Sequence, residues 1–293
     1  MSELEGLITH RCARFEDVKL HFVEAGSKNN PLVILLHGFP DFWYSWRHQI
    51  PHLAKNYHVV ALDQRGYNLS SKPRKVSEYN LDKLTGDVRR IIEYLGKDKA
   101  FIIGHDWGGA ISWEFTHRYP ELVEKLVIIN CPPFQVLMEE QLENFHQLKS
   151  SYYIYAFQIP FLPEKLLSMN RARFLIKGLP RMIRGVTEKE VKEYEKCFSI
   201  KDTLRSGINY YRAVFRTMIP RFLARNLDKI EIKVPTHIIW GYYDFALQAT
   251  LTRKFPAICK AGYSIKFFKG GHFVHQELKW ASVVNESISQ FLK

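Results

Sequence analysis

The stretch Ile102-Ile-Gly-His-Asp-Trp-Gly-Gly-Ala110 sets one charged residue, Asp106, between Gly104 and Gly108 where a buried apolar run gives way to a helical one. A strand-to-helix turn tight enough to hold a side chain above a sheet brings neighbouring backbone into contact, so its flanks have no room for a Cβ. An aspartate that merely caps a helix needs no glycine on both sides. Outward from this turn, the runs Leu32–Leu36, Val59–Leu62, Ala100–Ile103, Leu126–Ile129 and Thr236–Trp240 are apolar without alternation. Such runs suit parallel strands buried on both faces. Val18–Glu24 largely alternates, as in a half-buried strand near a sheet edge, and Tyr263–Phe268 is a further run. Helical periodicity fills the gaps, with Asn80 as N-cap of a helix reaching Leu95 and a closing helix marked by Trp280, Val284, Ile288 and Leu292. Strands alternating with helices predict a mostly parallel, doubly wound α/β sheet.

Between Cys131-Pro-Pro133 and Val234-Pro235 the strand runs stop and aromatic-rich helical sequence takes over. The division this predicts is a core in two parts, 1–131 and 235–293, around a helical insertion, 132–234. Pro160, Pro163, Pro180 and Pro220, with Pro132 and Pro133, are expected to cut that insertion into short helices.

If the turn is a nucleophile elbow, its nucleophile is a carboxylate, and that restricts the electrophile. An ester formed on a serine leaves the substrate's acyl carbon for water, whereas an ester on Asp106 has a carbonyl that belongs to the enzyme. Saturated carbon is therefore the expected target, in an epoxide or an alkyl halide, rather than an ester or peptide. The acid and base of such a triad follow later strands, in the order nucleophile, acid, base. Asp244, in Trp240-Gly-Tyr-Tyr-Asp-Phe245, and His272, in Lys269-Gly-Gly-His-Phe273, stand in that order. Leu36-His-Gly-Phe-Pro40 follows the first buried run, where the N–H of Phe39 can join that of Trp107 in holding an oxyanion. His37, Gly38 and Pro40 are read as support for that loop. No His-Glu-x-x-His or clustered carboxylate signature calls for a metal, and no cofactor is expected.

The 293 residues, 46% apolar and 25% charged, suit a globular chain with a sizeable core. Cys12, Cys131, Cys197 and Cys259 are too scattered for a disulfide framework and read as reduced thiols. The first ten residues lack a basic, apolar leader, so a cytoplasmic setting is expected. Net charge is +12, and the segment from Phe161 to Asn226 holds 15 Lys and Arg against 6 Asp and Glu, +9 of the total. Charge concentrated in the helical insertion argues against nucleic acid as the partner. In Phe161-Leu-Pro-Glu-Lys-Leu-Leu-Ser-Met-Asn-Arg-Ala-Arg-Phe-Leu-Ile-Lys177 basic and apolar residues interleave, so the insertion is either a solvated helical face or a surface that touches anionic lipid weakly or draws in a carboxylate-bearing, fatty-acid-like substrate.

The segments His37-Gly-Phe-Pro-Asp-Phe-Trp-Tyr-Ser-Trp46, Leu62-Asp-Gln-Arg-Gly-Tyr67, Gly104-His-Asp-Trp-Gly-Gly109 and Gly271-His272 resemble the epoxide hydrolases of the α/β-hydrolase superfamily, in its aspartate-nucleophile branch. The resemblance runs from about residue 14 to 292. It implies the α/β-hydrolase fold with a helical lid inserted after the sixth strand, a small apolar epoxide as substrate and a vicinal diol as product. It also implies two lid tyrosines on the epoxide oxygen. Tyr153 matches the first best, with Tyr152 and Tyr155 as competitors, and Tyr211 matches the second, beside Tyr210. The sequence departs from the family's pattern at Asn68, where relatives commonly carry Gly, and in the Phe-Val-His-Gln stretch that follows His272. Haloalkane dehalogenation and non-catalytic ligand binding are the alternatives. Against the first stands Phe39, where dehalogenases of the superfamily commonly carry Asn; against the second stands the intact set Asp106, Asp244 and His272.

Overall fold

In the computed structural model residues 3–293 are described, with all their side chains but those of Glu3, Asn170 and Arg171; Met1 and Ser2 of the N-terminal stretch lie outside the described residues. One sheet contains β1 (Thr9–Arg14), β2 (Lys19–Ala25), β3 (Leu32–Leu36), β4 (His58–Leu62), β5 (Ala100–His105), β6 (Val123–Ile129), β7 (Thr236–Gly241) and β8 (Tyr263–Phe268). Their order across the sheet is β1-β2-β4-β3-β5-β6-β7-β8. The β1–β2 and β2–β4 pairs are antiparallel, and every pairing from β4 to β8 is parallel.

The apolar runs are unalternating because both faces of the sheet are covered. Ile34, Leu36, Ile102, Leu126 and Ile128 share one core with Leu84, Val88 and Ile91 of the helix Leu81–Tyr94 and Ile111 and Phe115 of the helix Trp107–Arg118. Val33, Leu35, Ile103, Val127 and Ile129 share the other with Val284, Ile288 and Leu292 of the closing helix Leu278–Leu292. Asn80 caps its helix as its position predicts, accepting from the Lys83 N–H at 3.0 Å.

Three expectations need correction. β1 has no counterpart in the sequence reading, because five of its six residues are exposed. β2 is not half-buried: its polar residues go inside, His21 to Asp63 at 2.6 Å and Glu24 to His58 at 2.7 Å, so burial is made tolerable by pairing. The prolines do not cut the insertion into uniformly short helices. Leu162–Met182 and Thr203–Leu223 are each 21 residues long. Pro163 lies in a first turn, where its missing N–H has no partner to lose, and Pro180 and Pro220 lie in last turns, where the helix is about to end.

Among the described residues, six helices lie between β6 and β7: Phe134–Glu143, Phe145–Ser150, Tyr152–Ala156, Leu162–Met182, Glu188–Ser199 and Thr203–Leu223. The last is tied to the core where β4 ends. Tyr210 donates to the Arg65 carbonyl at 2.6 Å. The fully buried Arg65 guanidinium in turn donates to both carboxylate oxygens of Asp87, at 2.5 and 2.7 Å. Asp87→Ala should therefore lower unfolding free energy by about 3 kcal/mol, the low end for stranding a buried charge, since Asp17 and Glu78 remain within 3.4 Å of it. Urea denaturation measures this; a loss well under 1 kcal/mol would mean that those two carboxylates already neutralise Arg65.

Candidate active site

The elbow is formed by backbone crowding. A Cβ on Gly108 would stand 1.9 Å from the Leu36 carbonyl oxygen, one on Gly104 2.4 Å from the Gly108 carbonyl oxygen, and one on Gly38 2.4 Å from Oδ1 of Asp106. Asp106 itself has φ 50° and ψ −121°, a conformation few non-glycine residues adopt. It is the last residue before the helix Trp107–Arg118, and its carboxylate is buried. Oδ1 accepts the Phe39 N–H at 2.8 Å.

The loop carrying Phe39 is braced by His37. Its Nδ1 donates to the Gly38 carbonyl at 2.8 Å and its Nε2 accepts the Gln64 N–H at 3.2 Å, which fixes one neutral tautomer. Burial pushes its pKa down, in keeping with a bracing side chain. Asn68 has φ 39°, a left-handed conformation that asparagine tolerates better than most residues, and its amide donates to Asp63 at 2.8 Å. The difference from Gly at this position thus keeps the loop geometry.

β7 and β8 deliver the other two side chains. His272 Nδ1 lies 2.7 Å from Asp244 Oδ2, and its Nε2 lies 3.4 Å from Asp106 Oδ2. Asp244 is held in turn: Oδ1 accepts the N–H groups of Ala246 and Leu247 at 2.8 and 2.9 Å, and Oδ2 accepts from the Asn130 amide at 2.6 Å. Asn130 was not found from sequence. It follows β6 directly, with φ 45°, and its Oδ1 also accepts the Gly241 N–H at 2.8 Å. The signal that could have found it is an asparagine directly after a buried strand, where a left-handed residue is needed.

Burial opposes a charge on His272, but the carboxylates of Asp244 and Asp106 outweigh it and raise its pKa to about 10. Burial likewise opposes a charge on Asp106, and the hydrogen bond and charge of His272 reverse that, holding its pKa below the usual carboxylate value. Behind them His105 donates to the His272 carbonyl at 2.9 Å; burial first, then the charge of His272, pushes its pKa down to about 3, so it stays neutral.

Asp106, Trp107, Tyr153 and Tyr211 line one cavity of about 890 Å³, open mouth included, with apolar walls such as Leu137, Met138, Val214 and Ile219. The rings of Tyr153 and Tyr211 meet edge to face at 5.8 Å. Burial, and after it the charge of Asp106, raises both phenol pKa values well above 10, so both keep their protons at neutral pH. The competitors are exposed or have hydroxyls already engaged. Tyr152 is 71% exposed, the Tyr155 hydroxyl, at the cavity wall, donates to Gln141 at 2.8 Å, and the Tyr210 hydroxyl is taken by Arg65. No Lys or Arg is among the described residues lining this cavity, and Glu114 is its one carboxylate besides Asp106. Among the described residues no cluster of three or more His, Cys, Asp or Glu could hold a metal ion.

A raised histidine pKa has a consequence for stability. Unfolded, His272 loses its proton near pH 6.5, whereas folded it keeps it to about 10, so its contribution is full below pH 6.5 and falls as pH rises through that window. Unfolding free energy of the wild type should decline between pH 7 and 9 more steeply than that of His272→Gln, by at most about 1.4 kcal/mol per pH unit. Parallel curves from chemical denaturation would show that the imidazole is neutral in the folded protein.

Comparisons with known proteins show the family. The family model described as alpha/beta hydrolase fold matches residues 31–277. Epoxide hydrolase 1 of Caenorhabditis elegans is 36% identical over 289 residues, 96% of this chain and 70% of that protein. Epoxide hydrolase 4 of Homo sapiens is 36% identical over 295 residues, 97% of this chain and 79% of that protein. A crystal structure of the Bacillus megaterium epoxide hydrolase, solved with an inhibitor, superposes with a TM-score of 0.86 at 31% identity, covering 96% of this chain and 99% of that one. The chain belongs to the α/β-hydrolase fold family and, within it, to the epoxide hydrolases.

Proposed function

We propose that the enzyme opens a neutral, apolar epoxide with water, through an ester on Asp106, to give a vicinal diol. The observation that carries this reading is the shared cavity. A buried carboxylate faces two phenol donors there, with an Asp–His pair at its other side. Paired hydroxyls suit an epoxide, whose leaving alkoxide stays attached and strongly basic and so needs a proton from a nearby group. A halide needs no such acid. Without a lining Lys or Arg, and with Glu114 at its wall, the cavity favours an uncharged substrate over a carboxylate. The four free thiols fit a reducing compartment such as the cytosol.

In the first half-reaction Oδ2 of Asp106 attacks a ring carbon, the carbon–oxygen bond breaks, and the alkoxide takes a proton from Tyr153 or Tyr211, both hydrogen-bonded to it. Ester formation removes one of the two anions that keep His272 protonated. Its pKa falls, and the proton it releases restores the tyrosine. In the second half-reaction neutral His272, oriented by Asp244, takes a proton from water as that water adds to Cγ of Asp106. The oxyanion forms on Oδ1, where the Phe39 N–H already lies and where the Trp107 N–H, at the start of the helix, is the second donor. Collapse expels Oδ2 with the product as an alkoxide, which takes the proton of the carboxyl group just formed, and leaves the water oxygen in the carboxylate of Asp106 and the proton taken from water on His272.

The test is diol formation from small aromatic and aliphatic epoxides, with variants that separate the two halves. His272→Gln should still form the ester and fail to hydrolyse it, so intact-mass spectrometry should find an adduct that Asp106→Ala never forms. Tyr153→Phe and Tyr211→Phe should each slow ester formation roughly a hundredfold or more, as loss of one oxyanion-type donor does. No adduct on His272→Gln with an epoxide the wild type consumes, or near-wild-type ester formation in both tyrosine variants, would contradict the assigned roles.

A further inference from the structure

The helix Leu162–Met182 is held from beneath and bare on top. Ala172, Leu175 and Leu179, with the following Ile183, are buried against Tyr194, Cys197 and Phe198 of the helix Glu188–Ser199. On the outer side Leu162, Lys165, Leu166 and Met169 are exposed at helical spacing, and beyond Ala172, which has φ 61°, Arg173, Phe174 and Lys177 are exposed as well. Phe161, itself at φ 62°, precedes the helix and is 83% exposed, and Phe174 is 77% exposed. Asn170 and Arg171 of this segment lie outside the described side chains.

Positive charge dominates this face. The one carboxylate of the helix, Glu164, is bound by Arg212 through a two-pronged pair. Among the described residues none of Lys165, Arg173, Lys177, Arg181 or Arg184 has a carboxylate partner; most other cations of the chain are alike in this, so what marks the face is their clustering with exposed apolar side chains. Large apolar side chains interleaved with cations leave apolar area in water, while the cations themselves are well solvated. Together they match the boundary of an anionic bilayer, where chains such as Phe161, Leu166 and Phe174 enter the acyl region and lysine and arginine reach phosphate. A protein partner of matching shape would favour a segregated apolar patch with a polar rim over such mixing.

From this face we propose that the lid docks reversibly on an anionic lipid surface through the exposed side of Leu162–Met182 and the preceding Phe161. The same lid supplies Tyr153, Ile154 and Tyr155 to the cavity wall, so the docking face and part of the cavity belong to one insertion. The inference concerns a surface and does not rest on the reaction assigned to the cavity.

Co-sedimentation of the full chain with phosphatidylcholine vesicles, with and without phosphatidylserine, tests it. The wild type should bind the phosphatidylserine vesicles and release with added salt, as the Debye length shrinks from about 10 Å at 0.1 M to about 3 Å at 1 M. The triple variant Lys165→Glu, Arg173→Glu, Lys177→Glu should partition at least roughly a hundredfold more weakly, each cation near such a surface being worth about fivefold. Leu166→Ser with Phe174→Ser should also lose binding, while Lys165→Arg with Lys177→Arg should keep it. Unchanged thermal unfolding midpoints establish that the variants fold, and if a variant is destabilised the arginine pair and the salt series still decide. Absence of wild-type binding to phosphatidylserine vesicles, or binding that none of these substitutions weakens, would overturn the proposal. So would a face whose substitutions alter only self-association in sedimentation velocity, since a second copy would then be its occupant.

Discussion

The arrangement depends on how closely two strand ends can approach. The start of the helix after β5 lies against the end of β3, with the Leu36 carbonyl oxygen where a Cβ of Gly108 would be, and this contact lifts Asp106 above the sheet edge. It also places the carboxylate against Gly38 and within reach of the Phe39 N–H. The cost is a non-glycine residue at φ 50°, of order 1–3 kcal/mol. Burying Ile102 and Ile103, both fully enclosed in β5, contributes about 3–6 kcal/mol by itself. The sheet can therefore hold the strained turn, and a single methyl group at Gly108 would force apart the two strands that make the site.

Around that turn the electrostatics are arranged as one shared unit. His272 lies between two buried carboxylates, and among the described residues the remaining hydrogen-bond partners of those carboxylates, Phe39, Asn130, Ala246 and Leu247, are all donors. The lid is fastened to the same unit at separate points. Gln147 donates to the Ala246 carbonyl and accepts from the Gln248 N–H, at 2.8 and 2.9 Å, beside the loop of Asp244. Tyr194 lies 2.9 Å from Asp41 and 2.8 Å from Gln276, four residues beyond His272. Loop, base and lid are thus positioned by hydrogen bonds that cross between core and insertion, which is why the lid tyrosines and Asp106 can share one cavity.

Much of this could be read from the chain. Runs without alternation report burial on two faces, and glycines flanking a charge report a crowded turn, because both patterns follow from local sterics. β1 escaped because its Thr-His-Arg-Cys-Ala-Arg sequence carries no apolar signal: its hydrogen bonds to β2, not its side chains, keep it in place. The long lid helices escaped because a proline's effect depends on which turn it occupies, and turn boundaries are set by packing. Asn130 and Gln147 escaped for a deeper reason. Each acts through partners more than 90 positions away, at Asp244 and at Ala246 and Gln248, and no periodicity in the sequence encodes such a pair. The choice of Tyr153 over its neighbours likewise rests on which way a one-turn helix faces.

The covalent ester on Asp106 is the central claim, and the fate of oxygen tests it most directly. A single turnover in heavy-oxygen water, with enzyme in excess of an epoxide it hydrolyses, should give mostly unlabelled diol and leave one heavy oxygen in the peptide that contains Asp106. A diol that carries the label after one turnover, with that peptide unlabelled, would mean that water attacks the epoxide itself and that no ester forms.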